Sequence, residues 1–396
     1  KNIMDFTAFS QTYQEAREKF LSATKDTKQI EHLQLKALDK DNGGYTQDNL
    51  KGINGEDLVI DIAVYGNVTN PKAILLHTSG VHGVEGFCGS AVQVQQLREN
   101  SQQFNDLEVC LIFVHAVNPY GMSWGRRWNE SNVDLNRNFF FTEVNRNESE
   151  QSEYEKLGTS EHYTNLKDLV NPKLSDIGSM DRLTFFASAA VNALKHGFNT
   201  LKQALAEGQS TYPNGIFFRG NRLEQGPRLF MTWFDSLLAK SEMSQVQKVV
   251  HIDVHTGLGK FGQDTLLINE KEIPEDYQGV FDLERFSPMD SSKSVAYAIY
   301  GDILYGFRQL LQSRNVAYNG ICQEFGTYNP ISVLRSLRWE NAAWTELGES
   351  LPADHAAKRA VIDAFYPASD KTWKTLISTR GNILFVQGLK FAKTSS

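Results

Sequence analysis

The feature that most constrains the fold is a pair of nearly continuous apolar runs separated by a helical stretch. The runs are residues 73–77 (AILLH) and 107–114 (LEVCLIFV), and the helical stretch lies around residues 91–97. Strands without polar alternation are typical of sheets that are buried on both faces by helices. Similar runs recur at 249–254 and, more weakly, at 316–324. This order of strands and helices predicts an α/β protein with a central sheet flanked by helices.

Two further segments predict that this sheet is mixed rather than purely parallel. Residues 30–38 and 58–65 carry alternating apolar positions on either side of a polar, turn-rich connection, which indicates an antiparallel pair. Amphipathic spacing predicts helices over 6–24 and 295–311. The polar segment from residue 140 and the helix-like segment after it are predicted to form a helical insertion, at about 140–205, within a single domain that spans residues 1–396.

Composition excludes several classes of protein. The 396 residues are 41% hydrophobic and 22% charged, as in globular proteins, and no basic cluster accompanies the formal charge of −7, so a nucleic-acid partner is not expected. No apolar run is long enough to cross a membrane, and the first residues lack the plan of a signal peptide. We therefore expect a cytoplasmic protein without a membrane partner, although a chain that begins at Lys1 is compatible with a removed leader. The oligomeric state is left open.

A candidate metal site follows the first apolar run. Residues 79–86 (SGVHGVEG) place His82 and Glu85 three positions apart between glycines. Glycine allows the backbone to turn so that both side chains face one point, and zinc accepts an imidazole together with a carboxylate. The alternative is a glycine-rich turn with an incidental histidine.

The third run supplies two more histidines. His251, Asp253 and His255 share one face of the predicted strand, because side chains in a strand alternate. His255, last before a glycine turn, is the better metal ligand. His251 is expected to be a core histidine with satisfied hydrogen bonds, and a second, weaker metal site at His251 or Asp253 is the alternative.

Two more polar clusters follow other strands. Residues 126–139 (RRWNESNVDLNRNF) are rich in asparagine and arginine, a poor composition for a helix or strand and a suitable one for binding a carboxylate. The alternative is a solvated loop with salt bridges. Glu324 closes the fourth apolar run, where burial would raise its pKa and suit it to exchange a proton. An ordinary carboxylate at the rim is the alternative there.

Together these residues resemble the zinc carboxypeptidases (peptidase family M14, the funnelins), in particular the bacterial branch of the DUF2817 type. The resemblance rests on His82-x-x-Glu85, the block DLNRNF at 134–139, His255 in DVHTG and Glu324 in EFGT, in the order of that family. It covers roughly residues 50–345. The ordered set is specific, although each piece alone is modest.

The resemblance implies a catalytic zinc site. His82, Glu85 and His255 would hold one Zn²⁺ and leave a position for water. Glu324 would take the proton of that water and pass it to the departing amine, and Arg127 would stabilise the negative oxygen that forms.

It also implies roles for the neighbouring residues. Asn136 and Arg137 would bind the carboxylate of the substrate, while Asp134 and Asp253 would lie behind the metal ligands, with Asp134 orienting His82. Arg126 is adjacent to Arg127, and the sequence does not distinguish the two. The mobile tyrosine of the family is not assigned either; the candidates before Glu324 are Tyr297, Tyr300, Tyr305 and Tyr318.

The function indicated is zinc-dependent hydrolysis of an amide bond next to a free carboxylate, with a peptide or an acylated amino acid as substrate. A carboxypeptidase is the simplest form. The alternatives are an N-acyl amino acid deacylase similar to aspartoacylase and succinylglutamate desuccinylase, a zinc-binding module without turnover, and an iron site made of two histidines and a carboxylate. The insertion is expected to form a wall or lid over the cleft, and residues 212–220 to pack on the pocket.

Overall fold

An eight-stranded mixed sheet forms the frame of the protein in the computed structural model, which describes residues 6–39, 44–147, 151–178, 184–188, 191, 205–288 and 299–394. The strand order is β1-β4-β6-β5-β7-β10-β8-β9, and β2 and β3 form a separate hairpin. The strands are β1 Gln29–Gln34, β2 Lys36–Leu38, β3 Tyr45–Asn49, β4 Val59–Gly66, β5 Ala73–Ser79, β6 Cys110–His115, β7 Lys248–Phe261, β8 Asp264–Ile268, β9 Phe286–Pro288 and β10 Ala317–Gly326.

Helices cover both faces of the sheet. Their bounds are α1 Tyr13–Ala23, α2 Gly86–Phe104, α3 Pro119–Trp124, α4 Glu153–Leu157, α5 Glu161–Val170, α6 Gln225–Leu238, α7 Ile303–Ser313, α8 Pro330–Leu347, α9 Ala356–Phe365 and α10 Lys371–Lys393. Among the described residues, no helix combines the length and the apolar character needed to cross a membrane.

The centre of the sheet is parallel and its sides are antiparallel. Strands β6, β5, β7 and β10 run parallel to one another, whereas β4 is antiparallel to β6, β1 to β4, and β8 to β10. Every residue of β5 and β6 is buried, which is why these segments read as continuous apolar runs. The predicted fold class, a mixed sheet flanked by helices, and the antiparallel pair β1–β4 are confirmed.

Two helices begin later than predicted, each directly after a polar side chain that caps its first turn. The helix expected over 6–24 begins at Tyr13, because the side chain of Thr12 caps it by accepting a hydrogen bond from the Glu15 N–H at 3.2 Å. The helix expected over 295–311 begins at Ile303 after the capping side chain of Asp302, and residues 289–298 lie outside the described part of the chain.

The segments between the expected elements also hold regular structure. The polar connection after residue 38 contains β3, which pairs with β2, so this part of the sequence forms a hairpin rather than a simple turn. The polar segment 140–178 contains α4 and α5, which bury Tyr154 and Tyr163 almost completely. The helix-like segment 180–205 lies largely outside the described residues, so the helical insertion stays a prediction.

Candidate active site

Three buried side chains converge at the carboxyl ends of the parallel strands. His82 and Glu85 come from the loop between β5 and α2, and His255 comes from β7. The Nδ1 atom of His82 lies 2.9 Å from Glu85 Oε1, and the Nδ1 atom of His255 lies 3.0 Å from Glu85 Oε2. The two Nδ1 atoms are 3.2 Å apart. Two imidazole nitrogens and one carboxylate therefore face a common point.

Close packing of the loop on α3 brings His82 and Glu85 to this point. A Cβ atom at Gly83 would lie 2.0 Å from the backbone carbon of Gly121, so only glycine fits there. The N–H of Val84 donates to the carbonyl of Arg126 at 2.9 Å, which ties the loop to the next segment. The glycines of the sequence pattern thus serve close backbone contact as well as the turn.

A carboxylate lies behind each of the two histidines. His82 Nε2 is 2.9 Å from Asp134 Oδ1, and His255 Nε2 is 2.5 Å from Asp253 Oδ2. With Nε2 of each ring engaged by a carboxylate, the lone pair of each Nδ1 points to the common centre. This carboxylate–histidine pairing is the usual support of metal-binding histidines, and the structure places Asp134 behind His82 and Asp253 behind His255.

The donor set fits zinc. A tetrahedral ion bound at about 2.0–2.1 Å separates its ligand atoms by about 3.3 Å, close to the separations of 2.9–3.2 Å among His82, Glu85 and His255. Within the described part of the chain, these three residues are the one group of at least three histidine, cysteine or acidic side chains that could hold an ion. Three protein ligands leave a coordination position for water or substrate, as in catalytic zinc sites.

Charge around the cluster is balanced by mutual attraction. Burial opposes ionisation of Glu85, but attraction to His82 and the hydrogen bonds from His255 and His82 outweigh it and hold the pKa of Glu85 far below its ordinary value. Burial likewise opposes protonation of His255, yet Asp253 and Glu85 raise its pKa well above the ordinary value. The pocket is therefore arranged to hold positive charge between acidic groups.

Glu324 lies directly beside this cluster on the neighbouring strand. Its Cα is paired in register with that of His255 across β10 and β7, and its side chain is 8% exposed. Oε1 accepts a hydrogen bond from the Leu258 N–H at 2.9 Å, while Oε2 has no partner among the described residues. Burial, together with repulsion by Glu85, raises the pKa of Glu324 to about 7. A carboxyl group of this kind can both accept and return a proton near neutral pH.

The two adjacent arginines face opposite directions. Arg127 donates from Nη1 to Glu85 Oε1 at 2.9 Å and from Nε to Asp134 Oδ2 at 3.2 Å. Arg126 instead donates to Glu340 Oε1 on α8 at 2.6 Å. The structure therefore distinguishes the two residues: Arg127 belongs to the cluster, and Arg126 anchors the segment to α8.

The residues predicted to bind the substrate carboxylate are partly engaged. Arg137 donates from Nε to the carbonyl of Ala206 at 2.6 Å and from Nη1 to that of Asn136 at 2.8 Å, and Asn136 Oδ1 accepts from the Ile303 N–H. Arg137 Nη2 and Asn136 Nδ2 make no hydrogen bond to the described residues. Within the described part of the chain, these two donors are available to a ligand.

Aromatic side chains enclose the outer side of Arg127. Its guanidinium carbon lies 5.5 Å from the ring of Trp128, 5.6 Å from that of Phe217 and 5.8 Å from that of Phe365. Tyr163 of α5 belongs to the same buried cluster. Tyr163 of the 140–178 segment and Phe217 of the 212–220 stretch thus pack in one cluster next to Arg127, and the role of the insertion as a wall or lid stays a prediction.

The tyrosines considered for the mobile role do not hydrogen-bond to the three convergent side chains in the described structure. The hydroxyl of Tyr318 is 2.8 Å from His251 Nδ1, Tyr305 packs on Phe140, and Tyr300 is 54% exposed. Tyr297 lies outside the described residues, and the assignment stays open.

Both ring nitrogens of His251 have partners, as expected of a satisfied core histidine, since Nε2 lies 2.8 Å from Thr78 Oγ1. Sequence reasoning missed Thr78. The available signal was a hydroxyl next to the end of a buried apolar strand.

Comparison with known proteins gives one family and several solved structures. The family model described as "Protein of unknown function (DUF2817)" matches residues 9–380. No curated protein matches the chain. Carboxypeptidase A of Helicoverpa armigera is 12% identical, with a TM-score of 0.44, and the match covers 91% of this chain and 75% of the other. A metallo-carboxypeptidase of Burkholderia cenocepacia is 9% identical, with a TM-score of 0.36 and coverage of 95% and 69%.

Proposed function

The chain belongs to the DUF2817 family, and from its site we propose that it is a zinc-dependent hydrolase that cleaves an amide bond next to a free carboxylate, most simply a carboxypeptidase. One observation carries the proposal: the Nδ1 atoms of His82 and His255 and the carboxylate of Glu85 converge within 3.2 Å of one another, beside the carboxyl group of Glu324. A structural zinc site would be closed by a fourth protein ligand.

The side chains around the metal position have different catalytic roles. When bound by His82, Glu85 and His255, zinc polarises a carbonyl group and lowers the pKa of water from about 15.7 to roughly 7. Glu324 accepts the proton of the attacking water on Oε2, which has no hydrogen-bond partner among the described residues, and returns it to the departing amine. Arg127 donates from Nη2, which has no partner among the described residues, to the oxygen that becomes negative.

The remaining hydrogen-bond donors of the site suit the free carboxylate of a substrate. Arg137 Nη2 and Asn136 Nδ2 have no partner among the residues that the structure describes, and their parent groups are fixed by bonds to Ala206 and Ile303. A guanidinium and an amide held in this way suit the two oxygens of a carboxylate. Asp134 and Asp253 act indirectly, because they fix the rings of His82 and His255.

A product analysis tests the proposal directly. The protein is incubated with mixed peptides and N-acyl amino acids, with and without a chelator, and the products are read by mass spectrometry. We expect single residues to be released from peptide carboxyl termini, loss of this release with chelator, and its recovery with about one equivalent of zinc. Peptides with amidated termini are the matched control and should stay intact.

The other outcomes separate the alternatives. Release of acids from N-acyl amino acids alone would identify a deacylase. Zinc binding without turnover would identify a binding module, and iron at one equivalent would overturn the zinc assignment. A zinc content near two equivalents would reveal a second site. Chelator-insensitive cleavage would refute metal-dependent hydrolysis.

A further inference from the structure

A chain of buried hydrogen bonds extends behind His255 across three neighbouring strands. From the Nε2 of His255 it passes to Asp253 Oδ2 at 2.5 Å, and from Asp253 Oδ1 to Thr78 Oγ1 at 2.6 Å. It continues from Thr78 Oγ1 to His251 Nε2 at 2.8 Å and ends at the Tyr318 hydroxyl, 2.8 Å from His251 Nδ1. Thr78, His251 and Asp253 are fully buried.

The donors of this chain follow from the chemistry of its groups. Carboxylate oxygens only accept, so Thr78 gives its single proton to Asp253 and must receive one from His251 Nε2. Burial lowers the pKa of His251 to about 4, so its ring is neutral and Nδ1 accepts from the Tyr318 hydroxyl. All donors therefore point towards Asp253, whose other oxygen accepts from His255.

The strands are built to keep this chain in place. Thr78 on β5 is the register partner of Asp253 on β7, and Gly320 on β10 is the partner of His251. A Cβ atom at Gly320 would lie 2.8 Å from the Tyr318 hydroxyl, so the missing side chain gives that hydroxyl room to reach His251.

The two metal-binding histidines are supported in different ways. The carboxylate behind His82, Asp134, is held by the charged Arg127 inside the site. The carboxylate behind His255 is Asp253, and its Oδ1 accepts a hydrogen bond from the neutral hydroxyl of Thr78 on β5. The second arrangement fixes an imidazole without placing another cation near the metal.

We propose that Thr78, His251 and Tyr318 are positioning residues that hold Asp253 and, through it, the ring of His255 in the orientation that binds zinc. The inference rests on the proposed function, because it assigns these residues a role towards the same metal ion. Among the described residues, none of the three hydrogen-bonds to His82, Glu85 or His255, so their effect is transmitted through Asp253.

Zinc affinity and the visible spectrum of the cobalt-substituted protein test the inference. Thr78→Val keeps the shape of the side chain but removes its hydroxyl, and we expect zinc affinity, measured by chelator competition, to fall about tenfold. Thr78→Ser restores the hydroxyl and should return affinity and the cobalt spectrum close to those of the unaltered protein. Tyr318→Phe and Gly320→Ala remove or displace the last hydroxyl and should give a smaller loss.

The control is Thr24→Val, which removes a buried hydroxyl that bonds the Leu21 carbonyl at the end of α1. A folded Thr78→Val protein with unchanged affinity and cobalt spectrum would overturn the inference, as would an equal loss in the control. If Thr78→Val does not fold, Tyr318→Phe decides, and unchanged affinity there rejects the chain. Failure of the unaltered protein to bind zinc would instead reject the proposed function itself.

Discussion

Replacing Glu324 with glutamine removes a charge while it keeps the shape of the side chain, and two opposite effects are expected. Turnover should fall by about 10² to 10⁴, because the variant cannot take up the proton of the attacking water. Zinc should stay bound, since His82, Glu85 and His255 are unchanged. The chelated protein should meanwhile become more stable.

The gain in stability follows from the raised pKa of Glu324. Its change from the ordinary value of 4.5 to about 7 corresponds to about 3 kcal/mol, since one pKa unit corresponds to about 1.4 kcal/mol. Because the folded-state pKa is raised, Glu324 weakens the folded state increasingly as the pH rises from 4.5 to 7, and the effect levels off above 7. Glutamine should therefore stabilise the chelated protein by about 1–3 kcal/mol at pH 8 and by little at pH 4.

Thermal unfolding of the chelated proteins at both pH values measures this difference. For a chain of this length we expect a rise in Tm of about 1–4 °C at pH 8. Glu346→Gln, an exposed substitution on α8, is the matched control and should change neither turnover nor stability. Normal turnover in a zinc-loaded Glu324→Gln protein would refute the assignment of the proton acceptor, and a missing gain at pH 8 would refute the reasoning from burial.

Two further predictions concern the segments that shape the site. Arg127→Ala should lower the kcat of the folded protein by about 10²–10³, whereas Arg126→Ala should mainly cost stability, about 3–5 kcal/mol, because Glu340 loses its buried partner. Steady-state kinetics and denaturant unfolding separate the two effects, and the same profile for both variants would contradict their opposite orientations. Gly83→Ala should cost about 1–3 kcal/mol and weaken zinc binding, because its Cβ would meet the backbone of Gly121. Calorimetry and a zinc titration would show this, and normal zinc affinity would count against the packing argument.

Sequence reasoning succeeded where local pattern and chemistry agree. The apolar runs at β5 and β6 mark strands that are buried on both faces. The resemblance to the zinc carboxypeptidases named His82, Glu85 and His255 as one set, and the structure brings their side chains together. The DUF2817 resemblance is confirmed by the family model.

What sequence reasoning missed depends on pairing between strands. Thr78 contacts Asp253 only because β5 and β7 are neighbours in a particular register, and no local pattern carries that register. The sequence offers Tyr318 as one candidate for the mobile tyrosine, but in the structure its hydroxyl occupies the space left by Gly320 and contacts His251. The sequence does not predict the hairpin β2–β3, because its strands are only partly buried and lack an apolar run.

Arg126 and Arg127 face opposite directions, so contacts between Arg126 and α8 fix the backbone next to Arg127. The guanidinium of Arg126 stacks on Trp344 of α8 at 4.1 Å and pairs with Glu340, so the peptide bond it shares with Arg127 is fixed from outside the pocket. A genetic screen for inactive variants should therefore recover substitutions at Glu340 and Trp344 alongside those of the pocket. Such substitutions would identify residues that position the site rather than residues that take part in the reaction.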